Sequence, residues 1–308
     1  MEILQTVMEQ GLIYGILAVG VYISYRILNL ADLSVDGTFP LGAAVTAAWI
    51  VNEGGNPFIA CLLALIAGGI AGLVTGFLHV GLKINSLLSG ILVMMGLYSI
   101  NIRIMGMPNI SLNLAGKLIL PKSDEPWMRI LIVFCFVALV KLSIDMFLKT
   151  KGGFILRAVG DNEQLVTSLA VNKNRIKVIG LILSNALVAL AGSIFAQSQS
   201  YSDAGMGTGM VVTGLAAVII GETILKILTM IWRQLSFIKA STAVILGALL
   251  YQGAIALAMR LGMPQSDLKL VTAAIVAVAL SLNGVSFKKC KIKSLVGGGN
   301  SASDKKSA

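Results

Sequence analysis

Long apolar runs separated by short polar stretches set the pattern of this chain. A helix needs roughly 20 apolar residues to cross a bilayer, fewer where it is broken. Full-length runs occur at about Gly11–Leu28, Phe58–Leu82, Ser86–Met105, Trp127–Leu148, Ile176–Gln197 and Ala240–Arg260. Shorter ones occur at Thr38–Val51, Met210–Leu225 and Leu268–Leu282, and the first two of these follow polar, glycine-containing stretches. The pattern predicts an all-α integral membrane protein, a polytopic bundle of about nine spans.

The longest polar interruption, Lys149–Lys177, is not linker-like. Gly152-Gly153 is expected to break the preceding helix, and Phe154-Ile155-Leu156 to give a short new one its apolar face. Gly160 is expected to end that turn, where a β-branched residue would be strained if the turn requires a positive φ. Asp161 with Gln164 three residues on reads as a helix start of capping-box type. Two short amphipathic helices between membrane spans should dock on a partner.

Composition and charge agree with this. The chain is 56% hydrophobic and 12% charged, with a mean hydropathy of +0.89. A soluble domain carries about 25% charged residues. The net charge of +10 tracks predicted loops, so a positive-inside bias explains it without nucleic acid. With Lys149–Lys177 in the cytoplasm, alternation also puts Arg26, Lys83, Lys226–Lys239 and the C-terminal tail inside. Most of the 24 basic residues then lie inside, with the N-terminus outside and the C-terminus cytoplasmic. The chain divides into a transmembrane domain, 1–287, and a basic tail, 288–308, expected to be disordered. The start, MEILQTVMEQ, lacks the basic lead of a cleaved signal peptide, so it is expected to be retained.

A second informative stretch, Asn29–Thr38, carries Asn29, Asp32, Ser34, Asp36 and Thr38 between two spans. It reads either as a partly re-entrant segment lining a water-filled path or as a turn before a capped helix. On either reading Pro40 is expected in the first turn of the helix that follows. On the path reading, Ser34 and Asp36 are reachable from water. Gln197–Gly209, rich in Gln, Ser and Gly, is its outer counterpart. The two stretches, LNLADLSVDGT and SQSYSDAGMGT, each lead into a short apolar helix with Ala-Ala-Val, and five spans separate the copies. That is the pattern of an inverted repeat.

Lys141 and Asp145, four apart, are expected to pair, and Gly68, Gly69, Gly72 and Gly76 to serve close helix packing. Cys61, Cys135 and Cys290 have no metal-type spacing, and the single histidine, His79, falls near a helix end. The chain has no phosphate-binding G-x-x-x-x-G-K-[ST], no H-E-x-x-H and no nucleophile elbow, so no catalytic, metal or cofactor residue is assigned.

Leu156-Arg157-Ala158-Val159-Gly160-Asp161-Asn162 and Leu169-Ala170-Val171-Asn172 resemble the cytoplasmic loop of branched-chain amino acid-type permeases of ABC importers. Asn29–Thr38 with Leu41-Gly42-Ala43 resembles that family's segment after the first span. Ala170 in place of a usual glycine, and Ile219-Ile220-Gly221-Glu222 in place of a glycine-rich turn, point to an outlying subgroup that includes aromatic amino acid permeases. The resemblance implies a type II ABC importer-like fold in a bacterial cell (inner) membrane. It also implies two copies of a separate ATPase that binds the ATP, an external solute-binding protein, and a second permease copy, more simply an identical one. Phe154, Ile155, Leu156, Arg157, Ala158, Gly160, Asp161, Asn162 and Leu165 would then form the ATPase-coupling element, with Phe154, Ile155, Leu156 and Leu165 filling its groove. The competing readings are an ion-coupled secondary transporter using Asp32, Asp36 or Lys141–Asp145, and a membrane enzyme or scaffold.

Overall fold

The computed structural model describes residues 2–112, 118–120, 126–169, 171–231, 240–264, 267 and 270–277. The tail and part of the ninth expected span, Leu268–Leu282, lie outside the described residues. Helix α1 (Glu2–Val21) runs on as a wider π-type turn, Tyr22–Ile27, and α2 (Val35–Asn52) follows an extended stretch. Next come α3 (Pro57–Gly76), prolonged by a second wide turn at Phe77–Gly81, and α4 (Ser86–Met105). Strand β1 (Asn109–Ser111), α5 (Pro126–Phe147), α6 (Lys151–Asp161) and α7 (Glu163–Ser168) follow. The chain continues with α8 (Lys173–Gln199), β2 (Tyr201–Asp203), α9 (Met210–Ile231) and α10 (Ala240–Arg260), then a helical run at 270–277.

Six described helices are long and apolar enough to cross a membrane: Leu4–Ile27, Pro57–Gly81, Ser86–Met105, Trp127–Phe147, Lys173–Gln199 and Ala240–Arg260. One departure from an all-α chain is a small antiparallel ribbon of β1 and β2, pairing Ile110 with Ser202. The stretches after α4 and α8 have backbone groups to satisfy, and each satisfies the other's. Leu112 N–H donates to Ser200 at 3.0 Å and Ala204 N–H to Pro108 at 2.9 Å, closing both ends.

Helix α8 is the axis of the bundle, buried almost continuously from Ser184 to Ser198. It accepts two neighbours through small residues. On α3, Gly68 and Gly72 press against the backbone of Asn185 and Leu181, so a Cβ at either would collide with a carbonyl oxygen. Gly76 meets Val178 closely, while Gly69 has only ordinary contact. The packing role expected for this glycine cluster therefore belongs to Gly68, Gly72 and Gly76. On α2, Thr38, Gly42 and Thr46 fall one turn apart and face Asn185, Ala189 and Ser193. Thr38 Oγ1 lies 2.7 Å from Asn185 Oδ1, and Thr46 Oγ1 lies 2.7 Å from Ser193 Oγ. Between these two bonds Gly42 touches the Ala189 carbonyl.

A second set of contacts mirrors the first. Helix α10 packs antiparallel on α1, with Gly11 and Gly15 facing Leu249 and Ile245, and α9 packs on both α10 and α1. At the β-ribbon end, Glu9, Arg129 and Ser198 tie α1, α5 and α8 together, with Arg129 Nη2 2.6 Å from Glu9 Oε1 and Ser198 Oγ 2.6 Å from the same atom. Lys141 reaches Asp145 at 3.4 Å, and Asp145 also accepts from Ser241 Oγ at 2.6 Å, which ties α5 to α10.

Candidate functional site

The extended stretch after Ile27 lets the chain climb into the bundle before α2 begins. Asn29 takes a left-handed backbone, φ 55°, and ends the first span. Helix α2 then starts beside Asn185, twelve residues into α8, or about 18 Å from that helix's first residue at 1.5 Å per residue. A helix start at this depth must find partners for its free N–H groups. Asp32 serves the residue just ahead of the helix, Ser34. Its Oδ1 accepts from Ser34 N–H at 2.9 Å and from Ser34 Oγ at 2.5 Å, and its Oδ2 accepts from Asn185 Nδ2 at 2.8 Å. Asp32, Ser34, Thr38 and Asn185 are all buried. They form a closed polar node that locks the start of α2 to α8.

Asp36 plays the same part for α9. Its Oδ2 accepts from Gly209 N–H at 3.1 Å and its Oδ1 from Val211 N–H at 2.8 Å. Pro40, expected in a first turn, is the sixth residue of α2 and sits inside the helix. Lacking an N–H, it leaves the Asp36 carbonyl without its helical donor. The backbone at Gly207 closes on that carbonyl so tightly that a Cβ could not fit. Two broken helices thus meet at Asp36, whose carboxylate takes N–H groups at the start of α9. Against this junction lies a cavity of about 360 Å³, lined by Asp36, Met94, Met95, Tyr98, Asn101 and Thr208 among others.

At the other end of α8 sit α6 and α7. Thr150 Oγ1 accepts from Gly153 N–H and opens α6, so Gly152-Gly153 lies within its first turn instead of before it. The glycines serve proximity there, since a Cβ at Gly153 would enter the Phe147 carbonyl. Gly160 is likewise helical and not at positive φ. It is glycine because the carbonyl of Ile27, at the end of the first span, occupies the space a Cβ would need. Asn162, not Asp161, caps α7, accepting from Gln164 and Leu165 N–H at 3.0 and 3.1 Å.

Gly153, Leu156 and Val159 form the buried face of α6, and Val166 is the buried residue of α7. Leu156, 1% exposed, belongs to the main core. It is thus removed from the outward apolar face expected of it, because the i, i+3, i+6 spacing turns it toward the bundle. Phe154, Leu165 and Leu169 point outward, 63%, 54% and 67% exposed. Arg157 and Asp161 are exposed on the Phe154 side, Asn162 is exposed, and Ile155 and Ala158 are half-buried.

Residues 3–280 match the family described as branched-chain amino acid transport system, permease component. The chain belongs to that permease family. It is 46% identical to a tyrosine transport system permease protein of Clostridioides difficile, with 94% of each chain covered. It is 29% identical to the autoinducer 2 import system permease protein LsrC of Escherichia coli over 71% of this chain and 64% of that one. PsaBC from Streptococcus pneumoniae, solved with a Fab, superposes with a TM-score of 0.54 at 16% identity, covering 91% of both chains. At that identity the likeness shows the fold alone.

Of the five residues expected along a path, Asp36 lines this cavity. Asp32, Ser34 and Thr38 are sealed in the node, and Asn29 is exposed nearer the α6 end. The node's fourth member, Asn185, and the cavity's Asn101 were not expected. An amide in the middle of an apolar run, as in LILSNALVAL and LYSINIRIM, was the signal available.

The α6–α7 loop of the permease is pinned to α8 by charge. Glu163 pairs with Lys177 and lies 3.0 Å from Lys173. The Lys177 hydrogen bond, followed by that of Lys173, holds the Glu163 carboxyl below the ordinary carboxylate range. A carboxyl with a lowered folded-state pKa stabilises the fold above its unfolded value, about 4.3, and loses that contribution as pH falls through the folded value. Amide exchange in α7, corrected for intrinsic rates, should therefore be slow and flat from pH 7 to 5 and accelerate below pH 4. Protection unchanged down to pH 3 would show that the clamp does not hold α7.

Proposed function

We propose that this chain is the membrane permease of an ATP-driven ABC importer for an amino acid or closely related solute. It works as a homodimer with two ATPase subunits and an external binding protein. The observation that carries this reading is the construction of α6 and α7. Phe154, Leu165 and Leu169 are exposed apolar side chains of the α6–α7 segment, which is held from behind by Leu156, Val159, Val166 and the Gly160–Ile27 contact. Exposed apolar surface on a well-anchored segment marks an interaction site. Ile27 leads directly into the stretch that carries Asp32 and Asp36, so a push on α6 is delivered to the broken-helix junction.

On this reading the α6–α7 end is cytoplasmic and the ribbon end external, with about nine spans. An inverted repeat is supported by the mirrored packing of α3 on α8 and α10 on α1. It is also supported by the left-handed residues that end the corresponding spans, Asn29 and Ser200. The amino acid class rests on the family and on the tyrosine permease relative.

Reconstitution decides the energy source. Vesicles containing the permease, its ATPase and its binding protein should accumulate tyrosine only with ATP inside the compartment that bears the ATPase. Uptake driven by a sodium or proton gradient without ATP would make the chain a secondary transporter instead.

A further inference from the structure

The cavity at Asp36 carries information about what it holds. Asn101 is fully buried on α4 and donates from Nδ2 to the Gly37 carbonyl at 3.2 Å. That bond fixes the amide's orientation, since the flipped form would set two oxygens face to face. Its Oδ1 has no hydrogen-bond partner among the described residues, and Asn101 lines the cavity. A buried amide oxygen left without a donor is costly, about 1–3 kcal/mol, so a donor from outside the chain is what this position calls for.

The neighbours sharpen the chemistry. Helix N-termini favour anions, and two of them converge here, which taken alone would suggest an anionic ligand. Both already face a carboxylate: Asp32 holds the Ser34 N–H just ahead of α2, and Asp36 holds the Gly209 and Val211 N–H groups at the start of α9. Thr208 Oγ1 donates to the Gly205 carbonyl at 2.8 Å, and Gly205 N–H donates to Asp203 at 2.7 Å. No lysine or arginine is among the described lining residues. What remains is acceptor capacity, the second lone pairs of a carboxylate and the open oxygen of Asn101, beside apolar walls from Met94, Met95 and Tyr98.

From this juxtaposition of Asp36, the orphan oxygen of Asn101 and a thioether- and ring-lined wall, we infer that the cavity is a binding site for a primary ammonium group joined to an apolar or aromatic body. An amino acid enters with its ammonium donating to Asn101 Oδ1 and Asp36, its side chain along Met94, Met95 and Tyr98, and its carboxylate left in water at the open mouth. The inference rests on the importer reading for its amino acid class. It adds that the permease itself, and not only a binding protein, reads the amino group.

The test compares three probes on full-length permease purified with its ATPase, without nucleotide or binding protein, by saturation-transfer NMR titration. Tyramine and L-tyrosine should saturate with dissociation constants within a few-fold of each other, because the carboxylate is not held. N-acetyltyramine, which keeps the ring and loses the charge, should bind at least tenfold more weakly. Asn101→Leu should weaken tyramine at least tenfold with its melting temperature little changed, and Asp36→Asn should do the same where it folds. N-acetyltyramine binding as well as tyramine, an unaffected Asn101→Leu, or no tyramine binding at all would each overturn the assignment. The comparison among probes needs no variant. ATP-driven tyrosine uptake alongside failed tyramine binding would sink this inference and leave the importer reading standing. Gradient-driven uptake alongside selective tyramine binding would do the reverse.

Discussion

Gly42→Ala is expected to leave almost no folded permease, whereas Gly69→Ala is tolerated. Both substitutions add one methyl to a helix interior, and on propensity alone both should help slightly, since glycine costs roughly 0.5–1 kcal/mol relative to alanine there. Their surroundings differ. At Gly69 the nearest atom to an added Cβ is Ile182 Cγ2, 3.6 Å away, which is ordinary contact. At Gly42 the Cβ would run into the Ala189 carbonyl, and backbone cannot swing aside as a side-chain tip can. Parting α2 from α8 would also stretch the Thr38–Asn185 and Thr46–Ser193 bonds on either side, each 2.7 Å long. Overpacking a core costs about 1–3 kcal/mol, occasionally more. With the node opened as well, the buried Asp32 carboxylate loses a donor, so the sum should exceed about 3 kcal/mol. Monodisperse yield and melting temperature in detergent measure it. Equal behaviour of the two variants would show that the seam between α2 and α8 is not packed as described.

The spans were legible because period and length are properties of single segments. Six of the expected runs coincide closely with helices long and apolar enough to cross a membrane. The pairing of Lys141 with Asp145 was legible for the same reason, being local to one helix. What could not be read was anything set by a second segment. Gly160 has the look of a helix terminator until the Ile27 carbonyl is placed beside it. Pro40 reads as a first-turn proline until Asp32 and Ser34 start the helix earlier, at Val35. Asp32 and Asp36 look alike in NLADLSVDGT, yet Asn185 draws the first into a closed node while Gly209 and Val211 hold the second at a cavity. Those partners lie more than 150 residues away in the chain, where no spacing rule reaches.

The same geometry separates two leucine-like neighbours that the sequence could not tell apart. Phe154 and Leu156 stand two positions apart on α6, and that puts them on opposite sides of it. Leu156→Ala removes a fully buried side chain from the main core, and should cost about 2–5 kcal/mol of fold stability. It should also loosen α6 against Gly180, whose flank it fills. Phe154→Ala removes a side chain that is 63% exposed, and should leave the melting temperature unchanged. If α6 and α7 seat the ATPase, the same Phe154→Ala truncation takes out an interface anchor, worth about 2 kcal/mol or a roughly thirtyfold loss in ATPase affinity. Leu165→Ala should act in the same direction, because its side chain is likewise exposed. Co-purification of the ATPase and melting temperature, measured together on all three variants, give opposite signatures for the inward and outward residues. Retention of wild-type ATPase binding and uptake by a Phe154→Ala/Leu165→Ala double variant would mean that the ATPase docks elsewhere, and these exposed side chains would need a different partner.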